Sequence, residues 1–310
     1  MPTPNVERLW NDATRALSLG QVVLAIERLR QILSQEPDFS EAHALLALCL
    51  VDMKRLAAAE VEANLAVSLG PTSELAHSAM ASVCTARRHF AQAEEHYRRV
   101  LEMQPEVDDY HRDFGKFLSL IGRAEEAEEE LKRALELEPD APDNLVALGE
   151  FRLGFGELAE ADELAEQALT IAPRHLDGLV LMGRIALRNG DVDKAREHAH
   201  WALGIDATDR GALGLIAAIK GKTNWFLGIW WRYATWVMET GNSRVVLTLL
   251  GAFIAYRLAR QLLLDAGNDQ AAELVSFAWI GICIYSWVGP GMFRRSLEKE
   301  IGTVRLRDEF

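Results

Sequence analysis

Cysteine, proline and basic charge are all scarce in this chain, and each shortage narrows what it can be. The three cysteines, Cys49, Cys84 and Cys283, show no metal-ligand spacing and no obvious pairing, which speaks against a disulfide framework or a zinc-stapled fold. Cys49 and Cys84 fall on apolar helical faces and are expected to be inert core residues, a usage that fits a reducing cytoplasm. The opening MPTPNVERLWND has no basic segment leading into an apolar run, so no secretory signal is expected, and Asn5 is expected to cap the first helix. Phosphate loop, nucleophile elbow and zinc motif are missing, as is any carboxylate pair placed for acid–base work. No catalytic residue, cofactor, metal site or small-molecule substrate is therefore expected. Lys and Arg number 33 against 46 Asp and Glu, a formal charge of −13. Residues 1–210 carry 22 basic and 38 acidic groups, whereas residues 211–310 carry 11 and 8. So acidic an N-terminal part is repelled by nucleic acid, and no nucleic-acid partner is expected.

What is present is a period. Of only nine prolines, Pro37, Pro71, Pro105, Pro139 and Pro173 fall 34 residues apart, and the next step lands on Ala207. Twelve residues before these marks stand Ala25, Ala59, Ala93, Ala127, Ala161 and Ala195. Twelve earlier again come Ala13, Ala47, Ala81, Gly115, Gly149 and Gly183. A fixed period of this length marks a repeat array. Two antiparallel helices approach closely only where side chains are small, which explains both small positions. Gly20, Gly122, Gly156 and Gly190 lie between them, where the first helix ends and the backbone needs positive φ. Proline then stops the second helix, and no unit can bury its apolar face without a neighbour.

On these residues the chain resembles the tetratricopeptide (TPR) repeat family, with small residues at positions 8 and 20, proline at 32, and Ala66, Ala134, Ala168 and Ala202 at position 27. The resemblance implies an all-α solenoid of six helix–turn–helix repeats, 6–39, 40–73, 74–107, 108–141, 142–175 and 176–209, closed by a capping helix over 209–221. The sequence departs from the family at position 4, which is Leu or His, and at position 11 of the fifth repeat, which is Arg152. His43, His77 and His111 share position 4. Equivalent helices lie about 8–10 Å apart, too far for joint ligation at about 2 Å, so a structural role is expected. Acidic runs such as Glu125–Glu126 and Glu128–Glu130 are expected to be solvated surface.

The resemblance also implies a groove lined by first helices. Its charged part maps to Asp109, Arg112, Lys116, Asp143, Glu150, Asp177, Arg184 and Arg188, and its smoother, more apolar part to Ala44, Leu48, Val51, Ser78, Ser82 and Thr85. The expected partners are other proteins held in this groove. The family's clamp for a C-terminal carboxylate is not expected, because only Lys116 suggests it and its asparagines are missing.

After Gly221 the composition shifts. Residues 223–241 include WFLGIWWRYATWVM, in which Trp225, Trp230, Trp231 and Trp236 favour a headgroup boundary, so an interfacial helix is expected, the alternative being a helix packed on the end of the array. Residues 242–310 read as an α-helical membrane hairpin, with spans 245–264 and 274–293, and a tail. Gly251, Ala255 and Ala259 repeat every four residues, which suits close helix packing in a membrane. Basic residues flank the pair of spans and three acids sit between them, which places both termini in the cytoplasm. The expectation is a scaffold anchored in a bilayer, in the manner of a bacterial inner-membrane protein. Its rival is a homo-oligomeric ring or pore built from the hairpins.

Overall fold

The computed structural model describes residues 4–223, 242–281 and 283, with the backbone alone over 242–250. The Trp-rich run at 225–238 and the tail at 296–310 lie outside the described residues. Helices pair along the chain: α1 (Pro4–Ser18) with α2 (Val22–Gln35), α3 (Ser40–Asp52) with α4 (Leu56–Leu69), and α5 (Glu74–Ala86) with α6 (Phe90–Met103). They continue as α7 (Asp108–Leu120) with α8 (Ala124–Leu137), α9 (Pro142–Phe155) with α10 (Leu158–Ile171), and α11 (Leu176–Asn189) with α12 (Val192–Ile205). The five pairs from α3–α4 to α11–α12 each lie within one 34-residue period, and α1 begins two residues ahead of the first. Next come α13 (Arg210–Thr223) and α14 (Asn242–Asp265), then a helical stretch at 269–281. No strand occurs among the described residues. The chain forms two compact units, Met1–Leu164 and Ala165–Phe310.

The small residues of the period carry the packing. Ala25, Ala59, Ala93, Ala127, Ala161 and Ala195 are all 0 % exposed, as are Ala13, Ala47 and Ala81. A Cβ on Gly115 would come within 2.8 Å of Leu131 Cγ, so glycine lets α7 settle onto α8. The turn between paired helices always places one residue in the left-handed region. Gly20, Gly122, Gly156 and Gly190 do so, and in the same register so do Lys54 (φ 58°) and Arg88 (φ 63°). For those two an L side chain costs about 1–2 kcal/mol. The expected cap at Asn5 is corrected: Asn5 lies within α1, where its side chain donates to Gln35 Oε1 at 2.7 Å.

In the first unit, one aromatic cluster joins α6 and α7. Tyr97 lies 5.2 Å from Phe117 and 5.7 Å from Phe114, ring centre to ring centre, and Phe90 closes on Phe117 at 6.3 Å. Successive repeats are also clipped by charge. An acid at one register position of each second helix meets an arginine of the next repeat: Glu60 with Arg87, Glu94 with Arg123, and Glu128 with Arg152. Arg152, standing where the family has a ring, also reaches Glu157 at 2.8 Å and Glu160 at 3.1 Å. The acidic runs are thus not simply solvated. Glu126 binds Arg123, Glu128 binds Arg152 and Lys132, and Glu130 binds His111. Each exposed pair contributes at most about 1 kcal/mol, so these contacts set register more than stability.

In the second unit, Leu179, Leu203, Leu215, Ile216 and Ile219 form a buried cluster of α11, α12 and α13. A Cβ on Gly183 would overlap Leu215, so the glycine admits α13, the expected capping helix. The C-terminal hairpin turns through Gly267 at φ +70°, and Asn268 Oδ1 accepts from the Ala271 amide at 3.2 Å to start the returning helix. Tyr256 stacks on Trp279 at 5.0 Å, and Arg260 Nε donates to Ser276 Oγ at 3.2 Å.

The described residues do not bear out the expected membrane spans. Among the described residues no helix is long and apolar enough to cross a membrane. The expected span 245–264 lies inside α14, where Arg257 and Arg260 interrupt it. Residues 245–256 alone cover roughly 18 Å of helix, against about 30 Å of hydrocarbon. The second expected span, 274–293, runs largely outside the described residues.

Candidate partner-binding face

Histidine at position 4 has a structural task. His43 Nε2 meets the Pro37 carbonyl at 2.8 Å and its Nδ1 meets Glu62 Oε2 at 2.6 Å. His111 repeats this with the Pro105 carbonyl at 3.0 Å and Glu130 Oε2 at 2.6 Å. Each ring ties a first helix to its own second helix and to the preceding link, as expected. His77 meets the Pro71 carbonyl at 3.1 Å, but its other partner is His96 Nδ1 at 2.9 Å. Among the described residues no three His, Cys, Asp or Glu side chains gather as metal ligands. Cys49 and Cys84 are buried. Burial, helped by Asp52, pushes the Cys49 thiol up to about 11, and burial raises Cys84 as well. Thiols held so far above neutrality are poor nucleophiles.

The first-helix face of the first unit is where sequence-predicted residues converge. On α7 and α9, Asp109, Arg112, Lys116 and Asp143 surround Asp113. Burial raises the Asp113 carboxyl above its usual range; Arg112 and Lys116 oppose that, while Asp109 and Asp143 add to it. Arg112 pairs with Asp109 at 2.6 Å and donates to Asn144 Oδ1 at 3.2 Å. Asn144 is 0 % exposed. Its amide nitrogen donates to Asp108 Oδ2 at 2.8 Å, to the Ala134 carbonyl at 3.1 Å and to the Glu138 carbonyl at 3.3 Å. One buried amide therefore joins α7, the end of α8 and α9 beneath the charged surface. Asp109, Lys116 and Asp143 are exposed above it, and Arg112 is half-buried.

Glu150 lies two turns along α9 from Asp143 and is half-buried. Asp177, Arg184 and Arg188 stand exposed on α11 in the second unit. Of the smoother floor, Ala44 and Ser78 are buried in the core, whereas Leu48, Val51, Ser82 and Thr85 are half-buried. Asn144 is the residue that the sequence reading missed. Of its equivalents, Ala42, Ala76 and Gly178 are small and buried, whereas Arg8 and Tyr110 are larger and not buried, so a polar amide among small buried residues was the available signal.

Among the membrane residues, Trp225, Trp230, Trp231 and Trp236 lie outside the described residues. Gly251, Ala255 and Ala259 are exposed, and the hairpin closes instead through Phe253, Tyr256, Arg260, Ser276 and Trp279. Large apolar side chains also face outward: Phe253, Ile254, Leu258, Leu262, Leu274, Phe277 and Ile280 are each between 46 and 69 % exposed.

Residues 16–83 and 85–150 match the family model of the tetratricopeptide repeat. No curated protein matches the chain. Among solved structures it is similar to a thermophilic TPR protein of Thermus thermophilus, at 24 % identity over 59 % of this chain and 97 % of that one, with a TM-score of 0.54. It is similar also to a tetratricopeptide repeat protein of Parabacteroides merdae, at 16 % identity over 80 and 98 % of the two chains, TM-score 0.52. A third likeness is to a chain of the Cut9–Hcn1 hetero-tetramer of APC/C, at 13 % identity over 69 and 42 %, TM-score 0.55. At these identities the likeness shows the fold, which is that of tetratricopeptide repeats. Stacked repeats of this kind present extended concave surfaces.

Proposed function

We propose that this chain uses its tetratricopeptide repeats to hold protein partners beside a membrane, to which its C-terminal hundred residues attach it. The observation that carries the first half is the α7–α9 face. Exposed Asp109, Lys116 and Asp143 and half-buried Arg112 stand over a fully buried Asn144 that fixes the backbone beneath them. A polar surface held in place this way loses little entropy when a partner docks. Glu150 on the same unit offers a further polar contact, and Asp177, Arg184 and Arg188 form a separate exposed set on α11 of the second unit.

Support for the second half comes from the hairpin and the sequence around it. An apolar surface as broad as that from Phe253 to Ile280 calls for cover by lipid or protein. Tryptophans at 225, 230, 231 and 236 suit the headgroup layer. Basic residues before α14 and at 294, 295 and 299 favour the anionic cytoplasmic face of an inner membrane. A chain ending at Thr223 is expected to move from the membrane pellet to the supernatant while helices α1–α13 stay folded. Sedimentation of the truncated chain with membranes would overturn the attachment. A second reading, a homo-oligomer assembled through the hairpin, is favoured by the exposure of Gly251, Ala255 and Ala259. It requires a defined oligomer of the full chain in mild detergent, where a monomer would rule it out.

A further inference from the structure

We propose that the third repeat carries an acid-sensitive latch, the His77–His96 pair, which loosens α5 from α6 when both rings are protonated. Three repeats share the same device. In the second and fourth, histidine faces a carboxylate, Glu62 or Glu130. In the third, the partner at the same register is another histidine. That single exchange puts a second titratable ring where the other two repeats have a carboxylate.

Proton accounting fixes the geometry. His77 Nε2 lies 3.1 Å from the Pro71 carbonyl, which can only accept, so Nε2 carries a hydrogen. Nδ1 of His77 is then free to accept from Nδ1–H of His96 at 2.9 Å. The ring centres lie 5.1 Å apart, so the rings meet head-on, nitrogen to nitrogen. Head-on lone pairs share a proton; they do not converge on a common metal ion. When both rings are charged, two N–H groups oppose each other and the bond is lost. At His43 and His111 the partners of both ring nitrogens, a carbonyl and a carboxylate, can only accept.

The surroundings do not cancel the effect. Glu95 favours the charged form of His96, but burial first and His77 second hold that ring below its ordinary value. Glu94, Arg98, Arg99 and Glu102 line the same surface. Of these, Glu94 pairs with Arg98 at 2.5 Å and also with Arg123, and Arg99 pairs with Glu102 at 3.1 Å. The carboxylates of α4 are occupied elsewhere, Glu60 by Arg87 and Glu62 by His43. On α3 stand Glu41 and Asp52, and on α5 half-buried Glu74.

A ring with a depressed folded value binds its proton more readily once unfolded. The pair's contribution is therefore complete above about pH 6.5–7 and is lost as the pH falls through the lowered folded value. Hydrogen exchange of the full chain, read peptide by peptide at about pH 7.5 and about pH 5.5, tests this. The neighbouring pairs α3–α4 and α7–α8 serve as internal references for intrinsic rate. Protection of α5–α6 is expected to fall on the order of tenfold more than theirs in acid. In His96→Glu, which restores the carboxylate of the other repeats, the extra loss should vanish. His96→Gln, which still donates to His77 but does not titrate, should behave likewise and covers the case in which the glutamate variant fails to fold. Equal loss across the three pairs, or an acid effect that survives in either variant, would overturn the latch.

Discussion

Phe117→Ala is expected to lower the stability of the first unit by about 3–5 kcal/mol, the usual cost of deleting a buried aromatic ring and leaving its cavity. Phe117 is 2 % exposed and contacts Tyr97, Phe90 and Phe114 at once. Those neighbours belong to α6 and α7, so the cavity would open between successive repeats, where no other layer can collapse into it. Repeat arrays draw stability from such interfaces as much as from each unit. Chemical denaturation followed by circular dichroism should show the midpoint of the first unit falling sharply. Leu120→Ala, one turn further along α7 but 63 % exposed, should change it by no more than about 0.5 kcal/mol. Equal effects of the two substitutions would mean that the aromatic cluster does not join these repeats.

Asn144→Ala is expected to cost about 1–3 kcal/mol and to weaken partner binding together with stability. The amide makes three donor contacts and accepts one from Arg112. Without it the Ala134 and Glu138 carbonyls lose a donor at the end of α8, and Arg112 keeps only its carboxylate partners. Asn144 acts through Arg112 and Asp108, so it is a positioning residue. Asn144→Ala should therefore reduce affinity by more than Ser119→Ala, an exposed change on the same face. It should do so even at temperatures where both variants remain fully helical. A variant that is destabilised yet binds as tightly as the parent would assign Asn144 a purely structural part.

The repeat register was legible in the sequence because packing demands it. An alanine at the helix crossing cannot be replaced by anything larger, and all six in that position are fully buried. Features lacking a fixed residue type were hidden. Lys54 and Arg88 take the same left-handed turn as the glycines, but their side chains do not advertise it. Asn144 occurs in one repeat only, so no period marked it. The Arg–Glu clips recur with carboxylates at constant spacing, but their arginines come from different positions in each repeat, Arg87, Arg123 and Arg152. Composition also misled at α14. A run rich in Leu, Ile, Val and Phe reads as a span, yet Arg257 and Arg260 cut it short. The hairpin then closes by stacking Tyr256 on Trp279 and not through its small-residue stripe.

Site-specific photo-crosslinking in cells tests the central claim most directly. A photoreactive side chain at Lys116, on the α7–α9 face, is compared with one at Glu129, exposed on the second helix α8. A discrete adduct with another protein is expected from position 116, lost in Asn144→Ala, and none from position 129. Adducts of equal yield and identity from both positions, or none from 116, would contradict a partner-binding role for this face.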